Sequence, residues 1–210
     1  MVFTYGTGFY GKINTYNDQW IETKFFHIVF IPLIPLSSMY VTSSEYKRRG
    51  GINMELNSRS VLAAYARLFT FIAAAIALYV ALAESYTISF LGLSIAFTCA
   101  ILWVYFCFYY ASAKEADFPL RDKVGSITGF YALPHYFDHS FLYLNLETFE
   151  KQYQQLYPGN NWKDDLTTGN IEPEKSRLLF AIALFNCMVN NTPEDDELYA
   201  KADGVYVLGA

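Results

Sequence analysis

Charge is what this chain has least of. Only 17% of its 210 residues are Asp, Glu, Lys or Arg, against about 25% in ordinary soluble domains. Cysteine is scarce as well. The three present, Cys99, Cys107 and Cys187, are odd in number, and two lie inside an apolar stretch, which excludes a disulfide-stapled secreted module. Basic residues are in deficit, with a net charge of −5, so a general nucleic-acid binder is excluded from the expected partners. The opening residues lack the basic-then-apolar pattern of a signal peptide, and no cleaved leader is expected. Gly6, Gly8 and Gly11 form no phosphate loop, because no helix signal follows them and the lysine context is wrong. What the chain has in quantity is apolar surface: 53% of its residues are hydrophobic and 19% aromatic, far from the composition of a disordered segment.

That apolar surface is concentrated in two runs. Residues 61–83 carry a single charge, Arg67, and residues 86–113 carry none. At about 1.5 Å per residue they reach roughly 35 and 42 Å, more than the ~30 Å of a hydrocarbon core. Only Glu84 and Ser85 separate them, so the expectation is a tight antiparallel transmembrane hairpin. Ala73, Ala77 and Ala81 on the first run and Gly92, Ala96 and Ala100 on the second form small-residue stripes suited to close helix packing. Arg67, near the start of its run, is expected to snorkel to the headgroups. Lys47, Arg48, Arg49, Arg59 and Arg67 precede or open the first run, and Lys114, Arg121 and Lys123 follow the second. The positive-inside rule then predicts a multi-pass protein of the inner (plasma) membrane with both termini cytoplasmic. Trp103, Tyr105, Tyr109 and Tyr110 supply an aromatic belt.

The flanking segments differ in character. Residues 1–60 carry six basic and four acidic side chains. Val2-Phe3-Thr4-Tyr5, Gln19 to Ile31 and Ser38 to Thr42 read as strands, separated by turn signals at Gly6-Thr7-Gly8, Tyr16-Asn17-Asp18 and the prolines Pro32 and Pro35. Residues 114–210 carry eight basic and fifteen acidic side chains. There the spacing predicts helices from Asn145 to Tyr157 and from Pro173 to Met188, the latter with a buried apolar run from Leu178 to Val189 too short to span a bilayer. A third helix is expected from Thr192 as N-cap, Pro193 at its first position and acidic residues 194–197 on its positive end. The fold class expected is an α+β integral membrane protein: a small β module (1–60), a transmembrane helical hairpin (61–113, spans 61–83 and 86–113), and an acidic, mainly helical cytoplasmic domain (114–210).

The stretch from Ile21 to Ser38, ETKFFHIVFIPLIPLSS after the isoleucine, resembles a block found in poorly characterised bacterial membrane proteins and in small zinc-ribbon-like domains. Its form there is WF, four residues, then IPLIPL. In the zinc-ribbon relatives Cys-x-x-Cys pairs flank the block and hold the metal. Here residues 1–98 contain no cysteine, so the resemblance implies a compact β module without zinc. Eight large apolar groups between Phe25 and Leu36 exceed what one sheet face buries. The surplus is expected to meet the bilayer interface or the Leu178–Val189 helix, with Lys24 and His27 at the rim.

Candidate chemistry is sparse. His135 and His139 stand four apart with Asp138 between them, a spacing that on a helix puts both imidazoles on one face, as some zinc sites require. Asp138, a distant Glu or Cys187 are the conceivable further ligands, while Pro134 disturbs any helix there. Asp164-Asp165 and the Glu194–Glu197 run are acidic, the latter reading as a solvated helix start, and Cys187 reads as a small core residue. No nucleophile motif or cofactor fingerprint is found, and no catalytic, cofactor-binding or metal residue is assigned. The expected function is a non-enzymatic, membrane-anchored scaffold or accessory subunit, with the bilayer and further proteins or copies of itself as partners. The alternatives are a subunit of an oligomeric transporter or channel lined by Thr87, Ser89, Ser94 and Thr98, and a membrane-tethered metal-dependent enzyme built on His135 and His139.

Overall fold

A computed structural model describes residues 5–45, 48–83, 90–168 and 171–206. The fold is α+β and divides into two compact units, Met1–Glu115 and Ala116–Ala210. The first unit opens with a four-stranded antiparallel meander, β1 (Tyr5–Tyr16), β2 (Gln19–Ile28), β3 (Ile31–Glu45) and β4 (Arg48–Met54), in the order β1-β2-β3-β4. Val2–Thr4 of the first expected strand and Lys47 lie outside the described residues. Asn17 and Asp18 join β1 to β2 with φ of 47° and 57°, the left-handed pair that a two-residue hairpin loop requires and that Asn and Asp tolerate.

Two expectations about turns are corrected. Gly6-Thr7-Gly8 is strand: Gly6 pairs with His27 and Gly8 with Phe25. The glycines make room for rings, since a Cβ on Gly8 would lie 3.0 Å from both His27 Nδ1 and the Tyr10 ring. Pro32 and Pro35 also lie within a strand, β3, rather than between strands. Residues Ile31 to Ser37 precede the first β3–β4 pair, Ser38 with Met54, so this half of β3 is an edge. A missing N–H forfeits no ladder bond there, and the β2–β3 register is bulged where β2 meets the prolines.

One sheet face packs on the start of α1 (Ser58–Ala83). Ile13, Ile21, Phe25 and Tyr40 are fully buried, and Phe25 lies edge-on to Tyr10 and Tyr65, with ring centroids 5.9 and 5.5 Å apart. A buried hydroxyl chain fixes the junction. Ser60 Oγ donates to Gly11 O at 2.8 Å, Thr23 Oγ1 donates to Ser60 Oγ at 2.8 Å, and Thr23 and Ser38 hydroxyls meet at 2.8 Å. Asn57 caps the helix by accepting from Ser60 N at 3.0 Å. Gly11 has φ of +72°, and a Cβ there would fall 2.0 Å from Ser60 O. On the opposite face, Trp20 Nε1 donates to Glu22 at 3.0 Å, Arg49 pairs with the same carboxylate at 2.7 Å, and Lys12 Nζ sits 3.8 Å above the Trp20 ring.

The helix α1 is followed by α2 (Phe90–Val104), which runs on through a π-helical turn, Tyr105–Tyr109. Both are long and apolar enough to cross a membrane. The second helical run stops at Tyr109 rather than Ala113, and the Glu84–Ser85 link with residues 86–89 lies outside the described residues. The small-residue stripes meet only in part. Gly92 packs on Ala81 and the Ala77 carbonyl, so closely that a Cβ would fall 2.8 Å from Ala81 Cβ. Ala73 is exposed, and Ala96 and Ala100 line a groove.

The second unit is helical: α3 (Phe118–Thr128), α4 (His139–Leu156), α5 (Trp162–Thr168), α6 (Pro173–Asn190) and α7 (Pro193–Val205). Its centre is α6, buried at every residue from Leu178 to Cys187. Leu142, Leu146, Phe149 and Tyr153 form the buried stripe of α4, with Phe149 and Phe185 rings 5.6 Å apart. The start of α4 comes six residues earlier than the spacing predicts, because Asp138 caps it by accepting from Phe141 N at 2.8 Å. Thr192 caps α7 as expected, accepting from Asp195 N at 3.3 Å.

Candidate functional site

In the first unit everything converges on Arg67. It lies nine residues into α1, and its guanidinium is held at two carbonyls rather than reaching out alone. Nε donates to Phe106 O at 3.0 Å, and a terminal nitrogen donates to Lys12 O at 2.8 Å. Phe106 belongs to the π turn, where Tyr110 N reaches back five residues to Tyr105 O at 3.0 Å. Lys12 follows the left-handed Gly11. One side chain therefore ties α1 to the end of α2 and to β1. Arg59 adds a bond to Tyr110 O at 3.4 Å, and Asn14 N donates to Ala111 O at 2.7 Å. Among the described residues no carboxylate lies within ion-pair distance of Arg67.

Between Arg67 and the Ala81–Gly92 contact the two helices leave a groove. Its outer part, about 380 Å³, is lined by Phe71, Ala74, Leu78, Ala96, Ala100 and Trp103. A second cavity of about 320 Å³ shares Phe71 and Trp103 and ends on Arg67, with Tyr10, Phe30 and Pro32 at its walls. Phe71 and Trp103 face each other with centroids 6.3 Å apart. The small side chains of both helices keep the groove open.

The β2–β3 hairpin borders the same region. Its two-residue loop is Val29–Phe30, with φ of 49° and 68°. A β-branched residue is strained in the left-handed region, at a cost on the order of 1–3 kcal/mol. Phe30 is 71% exposed, and Ile31, Leu33, Ile34 and Leu36 are exposed as well. Tyr65 OH donates to Leu33 O at 2.7 Å, so the proline segment meets α1. It does so without burying Ile31 or Ile34. Lys24 and His27 are half-buried.

The sequence-level candidates in the second unit come apart. His135 lies in a 3-10 turn, Pro134–Tyr136, while Phe137 and Asp138 are extended and His139 is the first residue of α4. The two imidazoles therefore share no helix face, and the condition on which the zinc spacing depends is not met. Asp138 spends its oxygen on Phe141 N and on Ser140 Oγ at 3.0 Å. Among the described residues no group of three His, Cys, Asp or Glu is placed to hold a metal. Desolvation lowers the His135 pKa, with Asp117 opposing and Arg121 assisting. Cys187 Sγ donates to Asp196 at 3.0 Å, and burial, together with that carboxylate, pushes the thiol up to about 11. Such a thiol is inert at neutral pH.

The acidic runs are not uniformly solvated helix starts. Asp164 is exposed, but Asp165 accepts from Tyr153 OH and faces Lys175 Nζ at 3.5 Å. Asp195 is buried at 4% exposure, accepting from Asn186 Nδ2 and from Thr192 Oγ1, both at 2.5 Å. It joins α6 to α7, which corrects the solvated reading at that position.

Comparison with family models, curated proteins and solved structures finds no match to this chain. Reasoning from the sequence missed the Val29–Phe30 loop, because turn signals are sought in Asn, Asp and Gly. It also missed the Gly11–Ser60–Thr23–Ser38 junction, whose partners lie far apart along the chain. The left-handed Gly11 within a β-rich stretch was the one available signal.

Proposed function

We propose that this protein is a non-enzymatic membrane platform. In this reading α1 and α2 insert as a hairpin, the sheet sits at the cytoplasmic interface, and the acidic helical unit is displayed in the cytoplasm to bind partner proteins. The observation that carries the reading is burial. In the most apolar window of α1 only 11% of residues are buried, and in α2 only Gly92 is. A helix apolar all round needs either a protein core or a lipid solvent, and among the described residues little packs over these two. Three further features lie close together, as an interface would favour: Arg67, the Trp103 ring and the exposed hairpin tip at Phe30 line one cavity. The basic residues flanking the two runs favour cytoplasmic ends.

The channel alternative gains little. Ser94 Oγ donates to Phe90 O at 2.8 Å and Thr98 Oγ1 to Ser94 O at 2.9 Å, so these hydroxyls are satisfied along their own helix and call for no lumen. Resistance to alkaline carbonate extraction, with reporters at residues 1 and 210 both scoring cytoplasmic, is the expected result. Extraction into the soluble fraction, or reporters on opposite sides, would overturn the reading.

A further inference from the structure

We propose that the groove between α1 and α2 binds one anionic phospholipid, its acyl chain lying along Ala74, Leu78, Ala96 and Ala100 and its phosphate capping Arg67. This rests on the membrane reading above and adds a ligand to it. Three observations point to that occupant. The first is charge. Arg67 spends Nε and one terminal N–H on the neutral carbonyls of Phe106 and Lys12, and among the described residues no carboxylate compensates it. A guanidinium carries five donors in a planar fork that matches phosphate, so donors and a full positive charge remain at the groove's end.

The second observation is shape. The apolar groove of about 380 Å³ and the cavity of about 320 Å³ share Phe71 and Trp103 as walls, and the second of them reaches Arg67. A charged end and an apolar trough in one line suit an amphiphile, and neither a free anion nor a second apolar helix uses both. The third is length. From Arg67 to Leu78 is eleven residues, about 16 Å along the helix axis. One leaflet of a ~30 Å hydrocarbon core is about 15 Å deep. Trp103, 37% exposed, lies at the join of the two cavities, beside the expected headgroup level.

Trp103 is also the reporter for the test. The full chain carrying Trp20→Phe and Trp162→Phe, accepted if its circular dichroism and melting match the parent, is reconstituted in phosphatidylcholine bilayers. Bromine-labelled phosphatidylglycerol or bromine-labelled phosphatidylcholine is then titrated in. The expected result is half-maximal Trp103 quenching at a roughly tenfold lower mole fraction of the anionic lipid, a preference of about 1.4 kcal/mol. Arg67→Gln should abolish the preference. Because Arg67 also holds the fold, the second variants are Ala75→Leu and Ala96→Leu, both at positions lining the groove, which fill it and leave the Arg67 carbonyl bonds in place, and they should abolish it too. Identical curves for the two lipids would overturn the site, as would preference surviving both leucines or a dimer in mild detergent that Ala75→Leu dissolves. Flotation of the same samples after an alkaline wash separates the failures. A chain that floats without lipid preference loses only the site, whereas one that does not float loses the membrane reading as well.

Discussion

The helix α2 and the Leu178–Val189 run of α6 are both built of apolar residues and have opposite surroundings. From Leu178 to Cys187 every residue of α6 is buried, whereas Gly92 alone is buried in α2. Amphipathic surface helices bury one stripe, and these two do neither half of that. α6 has found its solvent inside the protein, against Phe149 and its neighbours on α4. α2 has only α1 on one side and leaves Phe90, Leu91 and Phe97 at 70% exposure or more. Apolarity alone therefore says that a helix will avoid water. Length and the supply of other apolar faces decide where it goes. The second unit brings α4 and α7 to cover its central helix, and the first unit spends its sheet on the N-terminal turns of α1.

The largest expected effect attacks that contrast directly. Phe180→Ala, fully buried in α6, should destabilise the second unit by about 3–5 kcal/mol. Phe97→Ala, 70% exposed on α2, should leave folding in detergent unchanged within about 0.5 kcal/mol. Thermal unfolding by circular dichroism in one detergent checks both. Equal losses would mean that α2 has a protein partner burying it. Next comes the point at which the first unit is joined. Gly11→Ala places a methyl group 2.0 Å from Ser60 O on a left-handed residue, and the junction must open at a cost of about 3 kcal/mol or more. Limited proteolysis should then cut within residues 5–60 and spare residues 116–206. Cleavage of both regions at the same rate would show that the two units do not fold separately.

A smaller effect tests the hairpin tip. Replacing Val29-Phe30 by Asn-Gly relieves two strained residues in a loop that otherwise favours that pair, and should stabilise the first unit by about 1–2 kcal/mol. The exposed ring of Phe30 is lost at the same time, so penetration of the tip into bilayers, read by a probe at Leu33, should fall. A loop that becomes more stable with penetration unchanged would mean that Val29 and Phe30 serve only local packing. The neighbouring Asn17–Asp18 loop has the same backbone and the expected residues, which makes it the internal control.

Much of this architecture was legible in the residues, and what was missed has a common cause. The two apolar runs, the Thr192–Pro193 helix start and the Asn17–Asp18 turn depend on neighbours in sequence, and each lies where local reasoning puts it. The prolines in β3 were misread because whether a strand edge is free depends on how far β4 extends. The His135–His139 spacing makes no shared helix face because Asp138 starts a helix between them. Arg67 was expected to snorkel to the headgroups, since nothing near it in sequence announces the carbonyls of Phe106 and Lys12. Contacts across 39 and 55 positions leave no periodic trace.

The smallest expected effect distinguishes the units by pH. Desolvation holds His135 below its ordinary value of 6.5, so folding favours the neutral ring. The stability it contributes is complete above 6.5 and is lost as the pH falls from there towards the lower folded-state value. Because part of the ring remains in water, the slope should be shallow. His135→Phe should remove it. The alkaline side has the opposite sign. The Cys187 thiol rises from its ordinary 9.0 to about 11 through burial and the Asp196 carboxylate, so the protonated form is favoured, and its contribution is complete below 9.0 and lost between there and about 11. Tyr153, Tyr199 and, in the first unit, Tyr10 are also raised above 10.0, so losses above pH 10 mix both units. Between pH 9 and 10 most of the expected loss belongs to Cys187, and Cys187→Ala should flatten most of the change in melting temperature across that interval. A slope that mostly survives Cys187→Ala there, or an acid slope that survives His135→Phe, would assign the pH response to groups other than these two.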